Sequence, residues 1–453
     1  MKTLSSENNS SLYICRYKPI WYLLVVVIMQ ISPHIGTAQT KQYTYSEIIS
    51  LAFEHQPLLK ANQRNIDAAA LQQELFQKEY LPQMFFDVNI SRWKYLLPNK
   101  QKLLGNSLND IYADVRINQL LYDWDKNSIQ QQSAERAVDI DRNTGRKLRQ
   151  TISYSIAKAY LELMKATRSV RIQEEAILQL KEHLKNADAL YAIGKVSNLD
   201  VLKAQVQIEI ARDELAKSQN QIRLQKNIIN TYSGNVLGND FDVVDVIDEW
   251  WRSSSTKTFR ADEITSGLTS QHPDLANSTI QQDLRNKEIE LLKTDYYPSL
   301  YAFGITNVED SRLPMGNFNW NVGVTVSYSL PFFRGSVMEE KIQQTTVRID
   351  ALKETQNAIR QQLEVTVKNN LLKMDDLKSR LLSSEKIVTL ANESLIASTM
   401  KYNIGKGNSL DVLDAETVLT TAKLQYNQII IDLLTIIAEL NYTIGSDALP
   451  FTE

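Results

Sequence analysis

The stretch YAIGKVSNLDVLKAQ, Tyr191 to Gln205, returns as YNIGKGNSLDVLDAE at Tyr402 to Glu416. The copies start 211 residues apart and agree at nine of fifteen positions. A match of this kind at one fixed offset marks an internal duplication, so the chain must fold as two similar halves. Each copy reads as a turn between two helices. Gly194 and Gly405 supply the permissive backbone of a helix end. Ser197 and Asn408 are good N-caps. Asp200 and Asp411, three residues on, can reach back to the cap and meet the positive end of the new helix.

The segments leading into the turns are long. In Trp124 to Tyr191, Ile156, Leu163, Val170, Ile177 and Leu184 recur every seven residues. In Gly335 to Tyr402, Val367, Met374, Leu381, Val388 and Leu395 do the same at the 211 offset. A strict seven-residue apolar repeat specifies a left-handed coiled-coil seam. Ala159, Ala166, Ala187, Ser384, Ala391 and Ser398 keep the companion seam narrow. At 1.5 Å per residue each run extends roughly 100 Å, a rod or tunnel wall rather than a globular core. With 14 Gly and 10 Pro in 453 residues, breakers are too few for an all-β fold.

Returning helices are expected over Leu199 to Tyr232 and Leu410 to Thr443. Thr44 to Tyr80 and Ala261 to Tyr297 read as a further helical pair, with Pro57 and Pro82 matching Pro273 and Pro298 at an offset of 216. The first half therefore carries about five extra residues, all in one loop. Thr44–Tyr80 is expected to stack on Leu410–Thr443, and Ala261–Tyr297 on Leu199–Tyr232, giving four columns of similar length. The expected domains are a first repeat 39–234, an equatorial insertion 235–260, a second repeat 261–445 and a tail 446–453.

Four segments break the helical period. Met84, Phe86, Val88 and Ile90 alternate with Phe85, Asp87, Asn89 and Ser91. Ile111, Ala113, Val115 and Ile117 alternate with Tyr112, Asp114, Arg116 and Asn118. Trp320 to Ser329 alternates likewise, and period two is a strand signal. Leu300 to Asn307 alternates poorly and is a strand by the repeat alone. Hairpins over 83–119 and 299–330 follow, with polar loops Arg92–Asp110 and Glu309–Asn319. Asp87, Asp114 and Arg116 should face away from lipid. Four strands cannot close a barrel, and an open edge in lipid leaves backbone groups unpaired, so the chain must oligomerise. Two chains would give a barrel that side chains fill, and three a channel.

At the N-terminus, Lys2, Arg16 and Lys18 precede an apolar run, Ile20 to Ile31, of signal-peptide length. Small residues at Gly36 and Ala38 place cleavage after Ala38, giving a signal peptide 1–38. Its removal takes the formal net charge from −3 to −5 and removes the one cysteine, Cys15. No lipobox, disulfide or thiolate metal site follows. No basic excess suggests nucleic acid. The histidines show no metal-ligand spacing, and His55 and His272, each just before a proline, fit helix starts. No nucleophile motif or phosphate loop points to an enzyme, and no cofactor is expected.

A signal peptide, a duplicated helix–hairpin–long helix–turn–helix plan, and the turns YAIGKVSNLDVLKA and YNIGKGNSLDVLDA together resemble the TolC-like outer-membrane efflux family. The resemblance covers essentially the whole mature chain. It implies a mainly α fold with a β-barrel part: a homotrimer whose helices form an α-barrel tunnel and whose strands, four per chain, form a 12-stranded membrane barrel in outer-membrane lipid. It implies a passive exit duct of a tripartite efflux or type I secretion system. The partners would be a periplasmic adaptor (membrane fusion) protein and an inner-membrane pump of RND, ABC or MFS type. The alternative is a soluble periplasmic coiled-coil adaptor or scaffold, against which the apolar strand faces argue.

The resemblance also implies site residues. Gly194, Lys195, Val196, Gly405, Lys406 and Gly407 would dock the adaptor. Asp411 and Asp414 would line the periplasmic entrance as acidic rings. Tyr402 and Asp200 would help tie neighbouring hairpins closed. The family's basic tie falls on Gly407, so that link is missing or replaced, with Lys406 the candidate. Asp200 and Asp411 also read as simple caps, and Asp414 as a solvated acid.

Overall fold

Pro57 divides what the apolar pattern joins. Proline cannot donate to the preceding turn, and it holds Gln56 extended, with ψ 119°. Thr44–Tyr80 is therefore two helices, α1 (Tyr45–His55) and α2 (Pro57–Lys78). In the computed structural model the described residues are 41–94, 99, 107–238, 240–255, 272–310, 316–328 and 335–446. The signal segment, loop residues Asn106 and Met315, and residues 261–271 and 447–453 lie outside them. Residues Gln42–Glu453 form one compact unit.

After β1 (Lys41–Tyr43), α1 and α2, the chain makes β2 (Gln83–Lys94) and β3 (Ser107–Tyr122), the long α3 (Lys126–Ala192) and the returning α4 (Asn198–Tyr232). β4 (Phe241–Val243) and α5 (Ile247–Ser255) follow. The plan then repeats as α6 (Pro273–Thr294), β5 (Ser299–Asp310), β6 (Asn317–Ser327), α7 (Gly335–Asn403) and α8 (Ser409–Thr443). Among the described residues no helix is long and apolar enough to cross a membrane.

The helices pack along the predicted seams. Ile156, Leu163 and Val367 are essentially inaccessible, and Ala159, Ala166 and Ala187 close the narrow side. Half of α3 packs on α4 and α8, and the other half on α2 and α6. Lys126–Asp295 (2.8 Å), Arg136–Asp283 (2.9 Å) and Lys147–Asp274 (2.7 Å) run down the antiparallel α3–α6 contact.

The column pairing differs from expectation. Gln56 Nε2 donates to the Tyr232 carbonyl (3.2 Å), so α2 continues α4 rather than α8. Gly234 explains the tight junction: its backbone is left-handed (φ +75°), and a Cβ there would come within 2.8 Å of the His55 backbone. His55 is thus a helix end. His272 is a helix start, its Nδ1 accepting from the Asp274 amide (3.2 Å).

The insertion holds the middle together. Trp250 packs 5.5 Å from Tyr45 and from Tyr160, ring centre to ring centre. Tyr160 donates to the Val244 carbonyl (2.6 Å). Phe241 and Ile247 are fully buried in the same core. The small strands β1 and β4 pair here, with Val244 N donating to the Tyr43 carbonyl (3.2 Å).

The main sheet is antiparallel in the order β2–β3–β5–β6. Directly paired residues share a face. Met84 pairs with Ile117, Phe86 with Val115, Val308 with Phe318, and Gly304 with Val322. One face is therefore apolar across all four strands, and Phe86, Ile90, Trp320 and Val322 on it are at least 70% exposed. Asp87 pairs with Asp114, and Arg116 with Ile305, on the other face. The weak alternation of β5 has a cause: it sets Ala302, Gly304 and Thr306 on the apolar face and Tyr301, Phe303 and Ile305 on the opposite one.

At the sheet–helix junction a bulge between Leu120 and Tyr122 returns Tyr122 to the apolar face. Tyr122 meets Trp124 edge-on at 5.2 Å, and Trp124 stacks on Tyr297 at 4.9 Å, ring centre to ring centre. Trp124 Nε1 donates to the Pro298 carbonyl (2.7 Å). Asp123 receives Tyr80 Oη (2.8 Å) and the Asn127 amide (2.9 Å), which starts α3.

Candidate functional site

The two turns end α3 and α7 in the same way. Gly194 (φ +72°) and Gly405 (φ +73°) adopt the left-handed conformation that lets the amides of residues 194, 195, 405 and 406 close on the last helical carbonyls, each at 2.9 Å. Lys195 and Lys406 are exposed at the two tips, and Val196 is half-buried. Ile193 and Ile404, 65% and 67% exposed, give each tip an apolar point.

The next helices start differently. The Ser197 amide donates to Asp200 Oδ2 (3.3 Å), as the capping box requires. Asn408 caps α8 itself, its Oδ1 accepting from the Leu410 amide (3.1 Å). Asp411 and Asp414 are both exposed, one turn apart on one face of α8, and hydrogen-bond no described residue. Asn408 is thus the N-cap expected, whereas Asp411, unlike Asp200, makes no bond back to the cap among the described residues.

Gly407 has no room for a basic side chain. A Cβ there would lie 2.8 Å from the Tyr402 amide nitrogen and 3.0 Å from the Lys401 carbonyl carbon. The two hairpins meet through other groups. Tyr402 is 2% exposed and sits 4.8 Å from the His183 ring, centre to centre. His183 Nε2 lies 2.9 Å from Ser409 Oγ, joining the end of α3 to the start of α8. His183 Nδ1 is buried with no hydrogen-bond partner among the described residues, and Tyr402 Oη, also buried, has the Ser409 hydroxyl nearby but short of good hydrogen-bond geometry. Burial pushes the Tyr402 phenol up, with the Asp200 carboxylate adding to it and the Ser409 hydroxyl opposing. Burial lowers the His183 imidazole, with Asp200 opposing. Asp200 thus acts on Tyr402 through its field and is bonded to its own cap.

Beside this cluster, α3, α7 and α8 enclose a cavity of about 320 Å³ lined by Gln179, Glu182, His183 and Glu416. Burial raises the Glu416 carboxyl, partly offset by the Thr420 hydroxyl, which donates to it (3.2 Å). The local sequence carries no signal for His183, since its partner Ser409 lies in the other hairpin.

A sequence model of the family described as "Outer membrane efflux protein" matches residues 48–235 and 265–446. The chain belongs to this family. As an outer membrane efflux protein it is 23% identical over 339 residues to the outer membrane protein TolC of Salmonella enteritidis. That match covers 71% of this chain and 66% of the relative, so the chain spans about two thirds of the relative's length. It is 21% identical to the TolC of Vibrio cholerae, over 92% of this chain and 94% of that one. Its fold matches the solved structure of CusC, a protein whose folding is accompanied by transmembrane channel formation. The TM-score is 0.77 at 16% identity, covering 90% of this chain and 93% of the other.

Proposed function

We propose that this efflux-family protein is an outer-membrane exit duct of a tripartite efflux or type I secretion system. The observation that carries the reading is the sheet: four strands with one continuous apolar face and two open edges, mounted on antiparallel coiled helices roughly 100 Å long. Three copies would join β6 of one to β2 of the next and close a barrel of twelve strands, with the apolar face in lipid. The Tyr122–Trp124–Tyr297 cluster then lies at the water–lipid boundary, as aromatic girdles do. A soluble scaffold gains nothing from exposing Phe86, Ile90, Trp320 and Val322 on one face. Family members are channels rather than enzymes, and passage through this one is passive.

At the far end of the helices, the tips would receive a periplasmic adaptor through Gly194, Lys195, Val196, Gly405, Lys406 and Gly407, and an inner-membrane pump would deliver the substrate. Asp411 and Asp414, free of capping duty, would line the entrance. The closed state would be held by Tyr402, Ser409 and His183, with Asp200 acting electrostatically. The test is reconstitution of the purified protein in planar bilayers after a carbonate wash of the membranes. Carbonate-resistant protein with discrete conductance steps is the expected result. Protein that washes off and conducts nothing overturns the reading.

A further inference from the structure

We propose that the cavity between α3, α7 and α8, beside the His183–Ser409 contact, binds a primary alkylammonium with a compact apolar body, and that its occupation holds the two helical hairpins together. The inference rests on the closed-state reading above and adds a ligand that regulates it.

The cavity measures about 320 Å³, at the small end for a ligand site. Leu395, Ile396, Met400 and Val412 form its apolar wall. Ile396 and Met400 are exposed, so a ligand lying on them would take apolar surface out of water. Two carboxylates line the cavity, Glu182 from α3 and Glu416 from α8, and no lysine or arginine does. Glu182 is exposed, whereas Glu416 is 4% exposed. Lys423, the base whose field reaches Glu416, is itself paired with Glu175 (2.8 Å).

A carboxylate taken out of water is costly unless it is paired. The Thr420 hydroxyl donates to Glu416 Oε1 (3.2 Å), and the Gln179 amide, with its nitrogen turned to the acid, donates from α3. These neutral donors return part of the cost and leave the charge uncompensated. At the 211 offset the counterpart of Glu416 is Gln205, which is exposed. The second half thus carries a charge at the one of the two positions where burial makes it expensive, although glutamine has the same shape.

A primary ammonium has three donors to offer the carboxylates, and its body would cover the apolar wall. A bare metal ion fits less well: among the described residues no group of three acidic, histidine or cysteine side chains could hold one. The ligand would touch α3 of the first hairpin and α7 and α8 of the second. It loses those contacts when the hairpins part, so it favours the joined arrangement by the difference in affinity.

Calorimetric titration of the purified protein in detergent with 1-adamantylammonium should show one site per chain. 1-Adamantanol keeps the body without the charge, methylammonium keeps the charge without the body, and both should bind far more weakly. Glu416→Gln should weaken binding of 1-adamantylammonium about tenfold, and Glu182→Gln, at an exposed position, should weaken it as well. In planar bilayers the same ligand should lower the open probability equally at both polarities, and Asp411→Asn with Asp414→Asn should leave that effect in place. No saturable binding, equal binding of the alcohol, or binding unchanged by both glutamate variants overturns the site. So does a voltage-dependent block that disappears with the two aspartate variants, which moves the ligand into the pore. Binding without any change in open probability overturns the hold on the hairpins. Absence of any channel with binding intact fails the exit-duct reading and leaves the site standing, so the two failures are distinct.

Discussion

His183 shows what a single residue does in this protein. It joins two hairpins whose sequences meet only in the folded chain, 226 positions apart at Ser409. Its imidazole is lowered by burial, so the unfolded or opened state binds the proton more tightly. The tie is then at full strength above about 6.5, the ordinary histidine value, and is lost as pH falls below it. The groups facing it are Asp200 from α4, Tyr402 from α7, Glu182 on α3 and Glu416 from α8, the last two across the cavity. Glu416, with its carboxyl raised, works in the opposite sense, packing better once protonated. Single-channel conductance should therefore rise as pH is lowered from 7.5 to 5.5, and His183→Gln, which can still donate to Ser409, should flatten that rise; a slope unchanged by the variant would acquit His183. Asp411 and Asp414 make a second case. Clustered carboxylates in a narrow ring repel one another and attract cations. Asp411→Asn with Asp414→Asn should weaken divalent-cation block applied from the tip side, and unchanged block would leave both as surface acids. The sequence made these acids and the Ser197–Asp200 cap legible, because capping is local. It hid His183, because a lone histidine acquires its role from a partner in the other half.

Among the elements, the seven-residue seam was the most legible feature, and burial follows it closely. Leu163 on the seam is 1% exposed, whereas Leu178 on the same helix is 70% exposed. Leu163→Ala should cost about 2–5 kcal/mol and Leu178→Ala little, read as the denaturant midpoint of the assembled protein; similar losses at both positions would mean that assembly buries Leu178 as deeply as the seam. The pairing of columns was not legible, since α2 and α6 carry no motif that selects α4 or α8. Contact chooses it: Gln56 finds Tyr232, and Gly234 lets His55 approach. β5 was legible only through the duplication. Its bulky residues Tyr301, Phe303 and Ile305 fall on the face opposite to the apolar one, and only the register reveals that this is a property of the inner surface rather than a failure of the strand pattern.

At the scale of the whole molecule, the duplication makes each chain a near-symmetric pair of hairpins, yet leaves β2 and β6 as open edges. Unpaired edges cannot persist in lipid, so assembly and membrane insertion are one event. The purified protein in detergent should accordingly run as a trimer by native mass, and a stable monomer that still conducts would contradict the barrel. The faces can be tested one residue apart. Val322 and Asn321 are adjacent at the centre of β6, Val322 paired with Gly304 on the apolar face and Asn321 with Ile305 on the other. A lysine on the lipid face near mid-height costs about 2–4 kcal/mol per copy, while a lumen-facing charge changes selectivity with little cost to insertion. Val322→Lys should therefore disappear from the carbonate-resistant fraction, and Asn321→Lys should remain there as a trimer with a lowered preference for cations. If both variants insert equally, the sheet does not sit in lipid. If Asn321→Lys is the one lost, the two faces are reversed, and Asp87, Asp114 and Arg116 lie on the outside.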